Sequence, residues 1–272
     1  SSASPTAWKP AAGKGRPLFV ARSASNGVQP ITAAPVAARL DPRIGGTFVV
    51  FGTGKLYELA DLESSTAQSV YGIWDNGRVT RVTKSTLVKQ DIIGAGSAGA
   101  DYRDLTARDV CLTAEQAGCL SATTFKRGWY IDLPSNSAFP SERVVFNPTI
   151  DAGADLLVTT TVPGGSEGCG GDGTTWYMRM ALMSGASLKA PLYDTNGDRR
   201  IDSADAITSG AKRPGIRKSG RLLQKFETCT GAACPPPTCM LAQGDTTGAV
   251  GSDVTRCPRV DTGRLNWREI VR

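Results

Sequence analysis

A turn-like segment, Asp41-Pro42-Arg43-Ile44-Gly45-Gly46, leads directly into an apolar run, Thr47-Phe48-Val49-Val50-Phe51-Gly52. With the strand-like stretch at residues 31–38 before the turn, this pattern predicts a β-hairpin. The second strand is apolar without interruption, which indicates burial on both faces. A third apolar and aromatic strand is expected at residues 69–75. Asn76-Gly77 then favours a tight hairpin turn into a further strand at residues 78–83.

The same order of elements recurs later in the chain. An apolar stretch at residues 144–150 is followed by a turn, a buried-type strand at 156–161, a Gly-rich loop and an aromatic strand at 175–180. Units of 40–50 residues that each hold several strands are typical of a β-propeller. Two units do not close a propeller, so we predict a mainly β fold that forms a partial or modified β-propeller. A β-sandwich is the alternative.

We assign residues 1–272 to a single domain with two inserts between strands. Residues 94–125 are expected to hold a loop and a short helix, with Thr113 as N-cap and Gln116 completing a capping box. Residues 184–220 hold an acidic loop followed by a basic stretch. The tryptophans are expected to pack within the blades rather than form a ligand cage.

Composition excludes several classes of function. The chain has 272 residues and no histidine, so Ser-His-Asp and Cys-His catalysis and His-ligated metals are excluded. The formal net charge of +6 is mild for this length. No apolar run approaches the roughly 20 residues needed to span a bilayer. These exclusions remove most familiar hydrolase chemistries, and no membrane span is expected. We expect a protein that is not an enzyme.

Seven cysteines, four of them in the last 44 residues, are typical of an exported, disulfide-bonded protein. By proximity the favoured pair is Cys111–Cys119, and the other pairings stay open. A zinc site built from the last four cysteines is the alternative. Its ligand spacing is poor, because the two C-x4-C units share Cys234.

The most specific motif is the acidic loop from Asp194 to Asp205, which has oxygen side chains at positions 1, 3, 5, 9 and 12 and an apolar residue at position 8. This is the spacing of an EF-hand loop, which surrounds Ca²⁺ with six to eight oxygens. Two positions depart from it: Arg199 stands where glycine is usual, so the turn is strained or uses Gly197 differently, and Asp205 stands where glutamate is usual. In a nine-residue variant, Asp202 closes the site and Asp205 lies only near it. The predicted ligands are Asp194, Asn196, Asp198, the Arg200 carbonyl, Asp202 and, least certainly, Asp205.

A glycine-rich run and a basic run are both interpreted as loops rather than as binding sites. Residues 94–99 match G-x-G-x-x-G, but no βαβ alternation surrounds them, so a loop is favoured over a dinucleotide site. The basic residues between Lys212 and Arg221 lack interleaved aromatics, so a solvated loop is favoured over a nucleic-acid surface.

Several segments, taken in order, resemble the C-terminal propeller region of the PilY/PilC family of type IV pilus tip-associated proteins. The terminal Trp267-Arg268-Glu269 adds to the specificity of the set. The segments are 29–35, 50–55, 70–75, 126–134, 194–205 and 263–270.

The resemblance implies an exported bacterial protein of the periplasm, outer surface or pilus tip. It implies minor pilins as partners, Ca²⁺ as the bound ion, and roles in pilus assembly, in opposing retraction, in adhesion and in twitching motility. Adhesion to host or abiotic surfaces is expected to use the family's N-terminal region, which we do not expect within these 272 residues. Two alternatives stay open: a propeller enzyme of the quinoprotein dehydrogenase type, and a secreted calcium-binding adhesin with no pilus role.

Overall fold

The computed structural model describes residues 17–78, 80–135, 141–151, 155–164, 173–224, 238–245 and 250–256. Within these ranges the chain is mainly β, with one short α-helix, α1 (Leu59–Leu62), and two 3-10 helices, Lys84–Thr86 and Gly96–Ala98. The strands are β1 (Val36–Arg39), β2 (Thr47–Gly52), β3 (Ser69–Asp75), β4 (Val88–Gln90), β5 (Ile92–Gly94), β6 (Tyr102–Leu105), β7 (Gly128–Asp132), β8 (Thr149–Ile150), β9 (Asp155–Pro163), β10 (Gly173–Ala181), β11 (Gly210–Pro214), β12 (Arg217–Gln224), β13 (Thr238–Asp245) and β14 (Val250–Arg256).

The first sheet has the order β1-β2-β3-β7-β4. Its first three strands are the antiparallel unit predicted from residues 31–75, with Val36 opposite Val50 and Val50 opposite Gly72. The turn between β1 and β2 closes as expected, because the Ile44 and Gly45 amides both donate to the Asp41 carbonyl. β7 pairs antiparallel with β3, and β4 pairs parallel with β7.

The second sheet has the order β5-β6-β11-β10-β9-β8. β8, β9 and β10 form the second predicted antiparallel unit, in which Met178 lies opposite Val158. β11 adds to the other side of β10. The recurrence in the sequence therefore corresponds to the same three-strand arrangement in both sheets, and the mainly β, partial-propeller prediction is confirmed.

A third sheet has the order β12-β13-β14, all antiparallel. Gly, Pro and Thr are frequent in this cysteine-rich region, which is typical of loops rather than strands. Cys239 in fact lies in β13. Cys169, Cys229, Cys234, Cys257 and the closing segment 263–270 lie outside the described residues.

One core cluster takes side chains from both the first and the second sheet. Phe48 and Trp129 come from the first sheet, and Leu156 and Met180 from the second, and all four are fully buried. Trp74 and Trp176 pack in or against the same cluster, so these tryptophans serve packing as predicted. Trp8 and Trp267 lie outside the described residues. Gly72 is required in β3, because a Cβ there would lie 2.4 Å from the Trp129 ring.

Three local predictions are wrong. Within the described residues around 78–83 no strand forms, since both edges of β3 are already paired with β2 and β7. No helix follows Thr113. Instead the Gln116 side chain accepts from the Leu112 amide and donates to the Val110 carbonyl within a series of turns. The basic run is not a loop, because Lys212 lies in β11, opposite Trp176.

The Cys111–Cys119 disulfide is present as predicted, with an S–S distance of 2.02 Å. Its first cysteine lies between Val110 and Leu112, two members of the shared core. Across the described ranges, no helix is long and apolar enough to cross a membrane.

Candidate metal centre

The acidic loop connects β10 to β11 on the second sheet, and both of its ends are fixed to β6. At the start, the Tyr102 hydroxyl donates to the Asp194 carbonyl over 3.0 Å. Four residues after Asp205, just before β11, the Ser209 amide donates to the Arg103 carbonyl over 2.9 Å. Between them Ile201, the apolar residue at position 8, is buried at 7% exposure. The loop is therefore anchored at both ends and in the middle.

The turn of the loop uses two left-handed residues. Gly197 has φ +80° and Arg199, at position 6, has φ +67°. An EF-hand loop needs its sharp turn at position 6, where glycine is usual. A non-glycine residue costs roughly 1–2 kcal/mol in this conformation. Both alternatives offered by the sequence are realised, because Arg199 is strained and Gly197 also takes part in the turn.

The Asp194 carboxylate stabilises the turn that follows it. Its Oδ1 accepts from the Gly197 amide at 2.6 Å, and its Oδ2 accepts from the Arg199 amide at 2.8 Å. Oxygen side chains that hydrogen-bond to nearby backbone amides stabilise turns at the expense of helix. The side chain at position 1 therefore orders the loop without a metal ion.

The next three candidate ligands are exposed, and each makes a short-range turn of the same kind. One side-chain oxygen of each accepts from the amide two residues further on. These bonds are Asn196 with the Asp198 amide at 2.9 Å, Asp198 with the Arg200 amide at 2.7 Å, and Asp202 with the Ala204 amide at 2.8 Å.

Asp205 differs from the other acidic residues, because it is buried at 6% exposure. Its Oδ1 accepts from the Thr195 amide at 2.7 Å and its Oδ2 from the Asp202 amide at 3.0 Å. The chain turns at residues 203–204 and is not helical after them, so the helix-like continuation expected at 203–207 is wrong.

The donor chemistry of this loop fits Ca²⁺, a hard cation that takes oxygen ligands. Its carboxylates are engaged with backbone amides, however, and they do not converge. In the part of the chain that the structure describes, no three His, Cys, Asp or Glu side chains are grouped as a metal site. Calcium binding by Asp194, Asn196, Asp198, Arg200, Asp202 and Asp205 therefore stays a prediction, and it requires these oxygens to turn inward.

Sequence reasoning missed the role of β6. The glycine run at 94–99 begins at the last residue of β5 and leads to β6, which pairs antiparallel with β5. It connects two strands through a single 3-10 turn, Gly96–Ala98, and does not begin an α-helix. The alternation Tyr102-Arg103-Asp104-Leu105 was the available signal of a strand, since Arg103 and Leu105 are buried and Tyr102 and Asp104 are less so. This strand provides the platform on which the acidic loop is anchored.

A model of the PilY1 beta-propeller domain matches residues 4–95. The type IV pilus biogenesis factor PilY1 of Pseudomonas aeruginosa strain PAO1 is 27% identical over 94% of this chain and 22% of its own length. A PilY1 homolog of Xylella fastidiosa is 30% identical over 76% of this chain and 14% of its own length. The chain thus spans about a fifth or less of these relatives.

Among solved structures, the crystal structure of the Pseudomonas aeruginosa PilY1 C-terminal domain matches with a TM-score of 0.60. It is 23% identical, and the match covers 88% of this chain and 48% of that chain. This likeness supports the fold. Together with the sequence relatives, it confirms the resemblance that the ordered segments indicate.

Proposed function

On the premise that this chain is related in sequence and fold to the C-terminal region of the PilY/PilC family, we propose that it is the calcium-binding, non-enzymatic segment of a type IV pilus biogenesis protein. The complete protein acts outside the cytoplasm, at the pilus tip or the outer surface, with minor pilins as partners. It supports pilus assembly, opposes retraction, and contributes to adhesion and twitching motility. The observation that carries the proposal is an EF-hand-spaced loop, anchored at both ends on a propeller-type sheet, in a chain whose relatives are named pilus biogenesis factors.

In this proposal the ligands are the side chains of Asp194, Asn196, Asp198 and Asp202 and the carbonyl of Arg200. When bound, Ca²⁺ supplies positive charge that neutralises neighbouring carboxylates and ties the turns of the loop to one another. Arg199 and Arg200 partly offset the negative charge of the loop, so moderate affinity is expected. In this proposal the loop stays attached to β6 with and without calcium. The effect of calcium is therefore exerted on the part of the second sheet formed by β6 and β11.

The binding step is tested by calorimetric titration of Ca²⁺ into the wild-type chain and into Asp198→Ala. Asp198 is exposed and holds only a local turn, so its loss leaves the sheets intact. Glu115→Ala is the matched control, because Glu115 is an exposed carboxylate in a different loop. We expect micromolar binding that Asp198→Ala weakens by at least 100-fold and Glu115→Ala leaves unchanged. Absence of binding by the wild type contradicts the calcium part of the proposal.

The pilus role is tested by placing the same two substitutions in the complete protein in piliated cells. If calcium on this loop opposes retraction, cells with Asp198→Ala carry fewer surface pili and twitch less. Pilus number then recovers when the retraction motor is deleted. Glu115→Ala should behave as the wild type. Equal piliation and twitching in both variants argue for a calcium site that is only structural, or for no site at all.

A further inference from the structure

Asp205 occupies position 12 of the acidic loop, where an EF-hand normally presents a bidentate metal ligand. In this structure its Oδ1 accepts from the Thr195 amide at 2.7 Å, the Thr195 hydroxyl at 3.1 Å and the Asn196 amide at 3.4 Å. Its Oδ2 accepts from the Asp202 amide at 3.0 Å. The donors to Oδ1 lie at the beginning of the loop, and the donor to Oδ2 lies six or seven residues further along the chain.

Burial separates Asp205 from the candidate ligands. Its exposure is 6%, whereas Asn196, Asp198 and Asp202 are exposed. Each of those residues accepts from an amide two positions away, so its bond orders only a local turn. Asp205 instead joins the beginning of the loop to its end. A buried carboxylate is costly to separate from its donors, because it is itself left without hydrogen-bond partners away from water.

The neighbouring contacts extend this arrangement. The Thr195 hydroxyl, which donates to Asp205, also accepts from the Ala206 amide at 2.9 Å. The Tyr102 hydroxyl holds the Asp194 carbonyl, and the Tyr102 and Tyr193 rings lie 6.5 Å apart. The first two residues of the loop are therefore fixed by Tyr102 on one side and by Asp205 on the other.

We propose that Asp205 is a positioning residue rather than a calcium ligand: its buried carboxylate holds the loop closed before metal arrives, and the calcium site ends at Asp202. The expected effect on calcium affinity rests on the proposed calcium function. The expected closure of the metal-free loop does not depend on it. A loop that is ordered in advance loses less conformational entropy on binding, so Asp205 raises calcium affinity without touching the ion. It also explains why the shorter aspartate is sufficient at position 12.

The experiment compares the wild-type chain with Asp205→Asn and Asp198→Ala in three measurements. Amide hydrogen exchange in excess chelator reports the metal-free loop. Calorimetry reports calcium affinity. Luminescence lifetimes of bound Eu³⁺ in H₂O and D₂O count the water molecules on the metal. Asp205→Asn keeps the size of the side chain, but it places an NH₂ group against one of the backbone amides that donate to the carboxylate in the wild type.

For Asp205→Asn we expect at least tenfold faster metal-free exchange at Thr195, Asn196 and Asp202, about tenfold weaker calcium binding, and an unchanged number of metal-bound waters. For Asp198→Ala we expect unchanged metal-free exchange at those three amides and at least 100-fold weaker binding. This opposite pattern separates a positioning residue from a ligand.

The proposal is overturned if Asp205→Asn adds one or two metal-bound waters, which identifies Asp205 as a ligand. It is equally overturned if metal-free exchange at the three amides does not change. If the wild type binds neither Ca²⁺ nor Eu³⁺, the proposed calcium function fails. The exchange measurement in chelator still decides whether Asp205 closes the loop.

Discussion

The buried ion pair between Arg103 and Glu142 gives the sharpest prediction about stability. Arg103 lies in β6 and Glu142 precedes β8, and their side chains are 6% and 2% exposed. The guanidinium donates twice, from Nη1 to Oε2 at 2.8 Å and from Nη2 to Oε1 at 2.6 Å. The Thr160 hydroxyl donates to the same carboxylate, and the Trp176 ring lies 4.1 Å from the guanidinium carbon. Glu142 therefore supplies the counter-charge for Arg103 in this buried environment.

The substitution Glu142→Gln removes the negative charge and keeps the shape of the side chain. It leaves a buried guanidinium without its partner and turns an amide NH₂ group toward one of the guanidinium donors. Breaking a buried pair in this way costs about 3–5 kcal/mol, whereas replacing both partners by apolar groups is often nearly neutral. For a chain of this size each 1 kcal/mol lowers the midpoint of thermal unfolding by about 2–4 °C. We therefore expect Glu142→Gln to lower this midpoint by about 10 °C.

The assay is unfolding by heat and by urea at pH 7, followed by tryptophan fluorescence and circular dichroism. The control is the double variant Arg103→Met/Glu142→Met, which removes both charges and should lie within about 2 kcal/mol of the wild type. If Glu142→Gln costs less than about 1 kcal/mol, the pair is not desolvated as described and the reasoning fails. If the double variant is as unstable as the single one, packing at this site matters more than charge.

Three further perturbations have defined outcomes. Replacing Cys111 and Cys119 together by alanine should lower the free energy of unfolding, measured in urea, by about 2–3 kcal/mol. The estimate comes from the entropy of a loop closed by a bridge with a sequence separation of 8, and a loss near zero contradicts it. Gly72→Ala should destabilise by about 1–3 kcal/mol, because the new Cβ meets Trp129, while Gly94→Ala, which meets nothing within 4 Å, should change unfolding little. Burial raises the pKa of Tyr71 to about 12, so Tyr71 stabilises the fold below pH 10 and this contribution is lost as the pH rises from 10 toward 12. Burial also raises the pKa of Tyr130, so the late change in absorbance at 295 nm should not come from Tyr71 alone. Tyr71→Phe should reduce this late change, and an unaltered titration curve in Tyr71→Phe contradicts the burial argument.

The predictions from sequence succeeded where the local pattern and the tertiary environment demand the same thing. The apolar run in β2 predicted burial on both faces, and its residues do enter two clusters: Phe48 and Val50 lie in the shared core, and Phe51 lies in a second cluster on the other side. The Asp41–Gly46 turn has residues suited to its conformation and closes as expected. Arg199 lies between success and failure. The spacing of the loop predicts a left-handed conformation at position 6, and Arg199 adopts it although arginine disfavours it.

The failures have a common physical origin in long-range pairing. The alternation at residues 78–83 is a valid strand signal, but β7 takes the position beside β3 that this strand would need. The turns after Thr113 are constrained by the disulfide and by Gln116, whose side chain bonds to the backbone at two points and replaces a helix. The strands in the third sheet have weak local propensity and depend on one another for their hydrogen bonds. The local sequence pattern does not specify which strand pairs with which.

The arrangement of β6 suggests how an event at the acidic loop reaches the rest of the second sheet. Successive residues of this strand serve different structures: Tyr102 holds the Asp194 carbonyl, Arg103 binds Glu142, Asp104 accepts from the Ser209 hydroxyl, and Leu105 packs in the shared core. A shift of the loop that displaces Asp194 acts on Tyr102, one residue from the buried ion pair. Because an unsatisfied buried charge is costly, the pair resists such a shift. Ordering of the loop and integrity of the pair should therefore be coupled, and Glu142→Gln should weaken calcium binding in addition to stability. Equal calcium affinity in the folded wild type and in folded Glu142→Gln would show that the loop and the ion pair are not coupled.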